Sequence, residues 1–303
     1  MKEGSVSVII PTFRRPDKLD RAIDSVLAQT YSDVEVIVVD DNEPFTEGRQ
    51  LTEQIMQRYE SNARVKYIKH EHNKNGSAAR NTGARSSDAE YVAFLDDDDE
   101  FYPEKIKAQV ELMSQKGDEY GCCYTKHEIK RPDGTLFTSD EKREGNMYLT
   151  TLMRDYHPAA GSNLLVRKKV FDQIGGFDES FIRNQDIEFL ARLLKTYKIA
   201  YTDVLGLRVN LHTNHNYFDF QSVTEQYLEK FEVFIEELSS EDKETFYKTI
   251  NRQRLYDFLI NKKSLSKSLE FIWCGNSTYC DLLAVIWLRF KKGLRLLRAK
   301  SRL

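Results

Sequence analysis

Cysteine is scarce and unpatterned. The four in the chain, Cys122, Cys123, Cys274 and Cys280, form no C-x-x-C pair and no regular framework, which predicts reduced thiols in a cytosolic protein. Long apolar runs are missing too. The longest near the C-terminus, Leu282 to Leu288, falls far short of the roughly 20 residues that a membrane span needs. The N-terminus shows no charged-then-apolar leader, so nothing predicts secretion. There is no internal repeat and no low-complexity segment. A net charge of -3 gives no argument for a nucleic-acid partner. Acid is absent altogether after Asp281, where Arg289, Lys291, Lys292, Arg295, Arg298, Lys300 and Arg302 follow. With 303 residues the chain can bury one large domain, or one domain and an appendage.

Against this background one stretch stands out, Tyr91-Val92-Ala93-Phe94-Leu95-Asp96-Asp97-Asp98-Asp99-Glu100. The apolar run reads as a buried strand that stops in carboxylates. Taken as extended, it turns Asp96 and Asp98 to one face and Asp97 to the other. Like charges this close raise each other's pKa. A divalent cation removes that penalty, and hard oxygen ligands suit Mg²⁺ or Mn²⁺. Alone, such a run is most often a solvated loop.

Its company changes the reading. Val6 to Ile10, Val34 to Val39 and Val65 to Ile68 read as earlier strands. A helix opens at Pro16, with Leu19, Ala22, Ile23, Val26 and Leu27 on one face. A second spans about Gly48 to Tyr59, and Gly76 to Arg85 is a loop entering a helix. Strands alternating with helices imply crossover units and a mostly parallel sheet. Ligands bind such sheets outside the carboxyl ends of the strands. Asp40-Asp41 and Asp96 to Asp99 both lie at carboxyl ends, so they are expected to share one crevice. Farther on, Cys122 to His127, Ser162 to Arg167, Ile199 to Thr202 and Leu205 to Val209 read as strands. Asp186 to Tyr197 reads as a helix, and the chain from Phe220 onward as helical throughout. The expected division is 1–216, with halves of about 1–120 and 121–216, and a helical region 217–303. His70-Glu71-His72 reads as an exposed loop.

The chain at this point resembles the family 2 glycosyltransferases. The resemblance is carried by Val6 to Phe13, Val36 to Asp41, Asn75-Gly76 through Ala79-Arg80-Asn81-Thr82-Gly83, Phe94 to Asp99, Gly175 to Glu179, and Gln185-Asp186 before a helix, in that order. It covers roughly residues 4 to 215. It implies a GT-A, Rossmann-like α/β fold, with a mixed, mostly parallel sheet flanked by helices and here a C-terminal helical appendage. It also implies inverting transfer of a sugar from a nucleoside diphosphate donor, UDP-linked foremost, to a hydroxyl of a glycan or lipid-linked saccharide in surface-polysaccharide assembly. By the same resemblance Pro11 and Thr12 line the nucleotide pocket, Asp41 accepts the uracil N3–H, and Asp97 contacts ribose or sugar hydroxyls. Asp96 and Asp98 match the D-x-D metal motif, His212 is a further candidate for metal or diphosphate, and Asp186 matches the catalytic base. The family often has Glu-Asp where this chain has Gln185-Asp186, which keeps the base, removes one nearby charge and implies a lower pKa for the base or altered acceptor contacts. His157, Asn163 and Gln185 fall where the family shapes its acceptor site.

Two other classes compete. A nucleotidyltransferase calls for a glycine- and lysine-rich phosphate loop after the first strand, which Phe13-Arg14-Arg15-Pro16 does not supply. A non-catalytic nucleotide-sugar scaffold at the membrane has no need of Asp96, Asp98 and Asp186. The tail from Tyr279 to Leu303 mixes aliphatic and aromatic residues with arginine and lysine, the composition of a helix lying in a membrane interface. The expected location is therefore peripheral, on the inner face of the cell membrane. The helices after Asn216 could instead pair two subunits.

Overall fold

The computed structural model describes residues 2–181, 183–211 and 219–287. The chain divides into two compact units, Met1–Asn214 and His215–Leu303.

The first unit is built on β1 (Lys2–Thr12), β2 (Val34–Asp40), β3 (Val65–Lys69) and β4 (Ala89–Phe94), paired in parallel in the order β3-β2-β1-β4. Helices α1 (Pro16–Leu27), α2 (Glu47–Met56) and α3 (Gly76–Arg85) connect them. Alternation along β1 divides its side chains between two cores. Val6, Val8 and Ile10 pack with Leu19, Ala22, Ile23 and Val26 of α1, while Ile9 packs on the opposite face with Ala79 and Ala84 of α3. Burial on both faces explains why these strands read as near-continuous apolar runs. α3 lies so close to β1 that a Cβ at Gly83 would fall 2.5 Å from Ile9 Cγ2.

Beyond β4 the sheet is mixed. The further elements are β5 (Glu100–Phe101), α4 (Lys105–Gln115), β6 (Tyr120–Lys130), β7 (Leu136–Thr138), α5 (Tyr148–Leu152), α6 (Ala160–Asn163), β8 (Leu165–Arg167), α7 (Lys168–Gln173), α8 (Gln185–Thr196) and β9 (Lys198–Asn210). The full order is β3-β2-β1-β4-β8-β6-β9-β5, with β7 on β6. β8 is antiparallel to both of its neighbours, and the long β6–β9 pair is parallel. Three expectations need correction. Ser162 and Asn163 belong to a helical turn rather than to a strand. The two strands expected over 199–209 are one, which bends with shifts of register. α3 begins at Gly76 itself, because the Asn75 side chain accepts from the Ser77 and Ala78 amides and caps it.

The second unit consists of α9 (Phe220–Lys230), α10 (Glu232–Glu236), α11 (Ser240–Tyr256) and α12 (Leu265–Trp273), followed by helical residues 279–287. Asp219, Ser239 and Ser264 cap α9, α11 and α12 through their side chains.

Candidate active site

The chain leaves β1 with β2 on one side and β4 on the other. That reversal of strand order opens a crevice at the carboxyl ends of the strands. Residues of both sides meet in it: the Thr12 hydroxyl donates to Asp97 Oδ2 at 2.8 Å.

The acidic stretch is not extended. β4 ends at Phe94, and the Asp99 amide donates to the Asp96 carbonyl at 3.0 Å, closing a tight turn. The alternation expected for Asp96 and Asp98 therefore does not apply. The turn instead gathers Asp96, Asp98 and Asp99, whose carboxylate oxygens lie within 4.8 Å of one another. Neighbouring elements hold it in shape. Asn210, at the end of β9, donates from its amide nitrogen to Asp99 Oδ1 at 2.9 Å and from its side chain to the Asp98 carbonyl at 2.8 Å. The Asp96 amide donates to Ser162 Oγ at 3.1 Å. Burial pushes the Asp97 carboxyl up to about 7 against the pull of Arg15, and burial with the charge of Asp96 pushes Asp99 up to about 8. Asp97 Oδ1 has Arg15 within 3.0 Å but no aligned hydrogen bond. A hard oxygen donor set this crowded fits a small divalent cation.

Asp40 and Asp41, adjacent in sequence, do different work. Asp40 is fully buried and structural: Arg49 Nε lies 3.1 Å from Oδ2, the Tyr67 hydroxyl donates to Oδ2 at 2.6 Å, and the Asn42 amide donates to Oδ1 at 2.9 Å. Asp41 is held at the crevice. Its Oδ1 meets His70 Nδ1 at 2.7 Å and accepts from the Lys74 amide at 2.8 Å, while Oδ2 accepts from Asn73 Nδ2 at 2.9 Å. A carboxylate only accepts, so His70 carries a proton on Nδ1, and its Nε2 lies 2.9 Å from the Thr82 hydroxyl. Among the described residues, one lone-pair position of Oδ2 has no donor. His70 is thus buried and orients Asp41, contrary to the exposed loop expected of it.

Asp186 lies in the first turn of α8, behind Asn184, whose φ of 56° is left-handed. It is half-buried. The protein packed around it pushes its carboxyl up, the Arg80 guanidinium opposes that, and Asp96 adds to it. This is the junction of the site. Arg80 of α3 is 5 % exposed and pairs with Asp96, yet among the described residues its Nε and Nη1 find no hydrogen-bond partner. Charges from α3, the acidic turn and α8 therefore act on one another across one crevice.

The three residues expected at the acceptor side fare differently. Asn163 is fully buried with its whole amide engaged: Oδ1 accepts from Lys105 Nζ and from Thr125 Oγ1 at 2.8 Å, and Nδ2 donates to the Thr125 and Pro158 carbonyls, each at 2.8 Å. It has no group to offer an acceptor and belongs to the interior. Gln185 Oε1 accepts from the Ser77 hydroxyl at 2.7 Å, which ties α8 to α3. His157 is exposed, beside the buried His127. Pro11 pairs with Val39 in the sheet, one residue before the crevice. His212 lies outside the described residues. Arg15 and Asn210 were not singled out as site residues, Ser162 lay only in the stretch expected at the acceptor side, and His70 was expected in an exposed loop. The only signal for any of them was position: Arg15 follows the first strand, and Asn210 closes the last.

Residues 7–175, more than half of the chain, match the model of the family described as Glycosyl transferase family 2. An uncharacterized glycosyltransferase of Rickettsia bellii is 27% identical over 247 residues, covering 78% of this chain but 34% of that protein. The chain thus spans about a third of that relative's length. The amylovoran biosynthesis glycosyltransferase AmsB of Erwinia amylovora is 27% identical over 197 residues, 63% of this chain and 64% of its own. Among solved structures, residues 1–349 of TarS from S. aureus superpose with a TM-score of 0.63 at 18% identity, covering 88% of this chain and 76% of that one. A further TarS structure, in complex with UDP-GlcNAc, gives 0.62. At that identity the likeness speaks for the GT-A-like fold alone. The family match, by contrast, runs through the strands and the acidic turn that build the crevice, and it makes this chain a member of glycosyl transferase family 2.

Proposed function

We propose that the protein is an inverting, metal-dependent glycosyltransferase that takes a sugar from a nucleoside diphosphate, UDP foremost, and passes it to a hydroxyl of a glycan or lipid-linked saccharide. The observation that carries this is the gathering of Asp96, Asp98 and Asp99 at the carboxyl end of β4, where Arg80 of α3 pairs with Asp96. Membership of the family, the name of the AmsB relative and the UDP-GlcNAc complex of TarS support it. Surface-polysaccharide assembly is the setting that AmsB suggests, with the protein at the inner face of the membrane.

In this reading the leftover lone pair of Asp41 Oδ2 accepts the N3–H of uracil. Thr12 fixes Asp97 toward the ribose or sugar hydroxyls. Asp96, Asp98 and Asp99 would hold Mg²⁺ or Mn²⁺, which supplies Lewis-acid stabilisation of the departing diphosphate. Asp186 takes the proton of the acceptor hydroxyl as that oxygen attacks the anomeric carbon from the side away from the diphosphate, and a carboxyl pushed up by burial suits a base. A panel of nucleotide-sugars with Mn²⁺ tests the reading, scored by slow donor hydrolysis and by thermal stabilisation. One UDP-sugar is expected to give both. No response to any donor overturns the assignment.

A further inference from the structure

The helix of residues 279–287 is inside out for a helix in water. Its N-terminus is closed by a capping box: the Thr278 hydroxyl donates to Asp281 Oδ2 at 2.6 Å, and the Asp281 amide donates back to Thr278 Oγ1 at 3.1 Å. Arg252 pairs with the same carboxylate. Asp281 is the last acidic residue of the chain and the one charged residue of this helix, and it is turned inward, 4% exposed. Val285 and Leu282 pack beside it against Leu255, Phe271 and Ile272. Outside are Tyr279, Leu283, Ile286 and Trp287, with Cys280. A helix of a soluble domain turns its polar face outward; this one has apolar residues on both faces.

α12 repeats the arrangement. Phe271 and Ile272 enter the same core, while Leu265, Leu269 and Trp273, each four residues from the last, form an exposed stripe. Both tryptophans of the chain are therefore exposed, Trp273 at 87% and Trp287 at 55%. Only residues 274–278 separate the two stripes. Lys263 and Lys267 stand at the start of α12, beside Lys262, which pairs with Asp219; Glu270 is the one acidic residue of α12, and seven arginines and lysines follow Asp281 with no acid among them.

Charge decides between the two coverings such a face could have. A second copy would bring two sets of these basic segments together, and like charges repel. An anionic bilayer neutralises them. Tryptophan and tyrosine on an aliphatic face are also the residues that settle at the level of lipid headgroups. No described helix is long and apolar enough to cross a membrane. We propose that Leu265, Leu269 and Trp273 of α12 insert with Tyr279, Leu283, Ile286 and Trp287 into the headgroup layer of an anionic bilayer, so that attachment uses a surface of two helices and not the basic tail alone.

The two tryptophans are native reporters. Full-length protein is mixed with vesicles of phosphatidylcholine, with or without phosphatidylglycerol, carrying brominated acyl chains. In Trp287→Phe the emission of Trp273 is expected to shift to the blue and be quenched by the anionic vesicles alone, and Trp287 is expected to respond likewise in Trp273→Phe. The double variant Leu269→Ser, Trp273→Ser is expected to lose at least tenfold in vesicle affinity while donor hydrolysis in vesicle-free buffer stays unchanged. If Trp273 remains unquenched on protein that sediments with vesicles, the tail binds alone and the proposal is wrong. If the blue shift instead follows protein concentration without lipid, a second copy covers the face, and the proposal is equally wrong. Hydrolysis in vesicle-free buffer keeps either failure separate from the glycosyltransferase reading.

Discussion

Arg15 Nη2 lies 3.0 Å from Asp97 Oδ1, and the same guanidinium pairs with Asp98. The side chain is 45% exposed and comes from the loop between β1 and α1, so it places a tethered positive charge inside the acidic turn. An arginine there competes with a divalent ion for Asp98. Its exposure makes the pair worth at most about 1 kcal/mol. Arg15→Gln is therefore expected to bind Mn²⁺ about two- to fivefold more tightly without donor, measured by electron paramagnetic resonance titration of free Mn²⁺. Equal or weaker binding would show that the guanidinium does not stand in the ion's way.

The crevice could be read from sequence because it follows from topology. Once Val6 to Ile10, Val34 to Val39 and the run ending at Phe94 were parallel strands, Asp41 and the acidic stretch had to emerge at one edge. The arrangement within the crevice could not be read that way. Asp96 to Asp99 looked like a continuation of the strand, but Asn210, 111 residues away from Asp99, bonds it into a turn. Asn163 was expected in the acceptor pocket because it falls where the family that the chain resembles shapes that site. Here the buried Lys105 of α4 needed acceptors and took its amide. Such partnerships join distant segments, and no local pattern announces them.

The crowded carboxyls make the effect of a cation depend on pH. Asp97 and Asp99 are raised to about 7 and about 8, so the folded, ion-free protein keeps protons there that the unfolded chain sheds near 3.8. The stability they contribute is full below that value and is lost as pH rises through 7 to 8. A bound cation offsets the loss. The gain in melting temperature on adding Mg²⁺ is expected to be larger at pH 8 than at pH 6. An equal gain at both would remove these carboxyls from the cation's surroundings.

Lys105 gives the opposite slope. It is fully buried, and its Nζ donates to neutral oxygens only, those of Asn163 and Thr125 at up to 3.3 Å. Burial lowers its pKa to about 7 from 10.5. Between those values the unfolded chain holds the extra proton, so stability rises with pH by up to about 1.4 kcal/mol per unit. Urea unfolding of the wild type and of Lys105→Met from pH 7 to 10 is expected to show that rise in the wild type only. Parallel curves would mean that the amine does not titrate in this window.

Asn163→Leu removes one of the three oxygens to which Lys105 donates and strands the Thr125 and Pro158 carbonyls. A loss of about 3 kcal/mol is expected from groups left unsatisfied in the interior, read by the same unfolding experiment. The KM for acceptor in the surviving folded protein is expected to stay as it was. A changed KM with stability intact would return Asn163 to the acceptor site.

In the proposed reading Asp186 is the base, and Arg80 sets the pH at which it works. Its guanidinium holds the Asp186 carboxyl down while burial and Asp96 push it up, and the net displacement is upward. Asp186→Asn is expected to cost at least about a hundredfold in kcat while isothermal titration shows UDP binding almost unchanged. Arg80→Met lifts the opposing charge, so the proton is held more tightly, and the acid limb of kcat/KM is expected to move to higher pH. Arg80→Lys keeps a positive charge and is expected to move that limb less than Arg80→Met does. If both variants lose activity evenly at every pH, Arg80 acts through the donor or the fold and not through the base. If Asp186→Asn transfers sugar at the normal rate, proton removal belongs to another group, and the influence of Arg80 on Asp186 has no part in turnover.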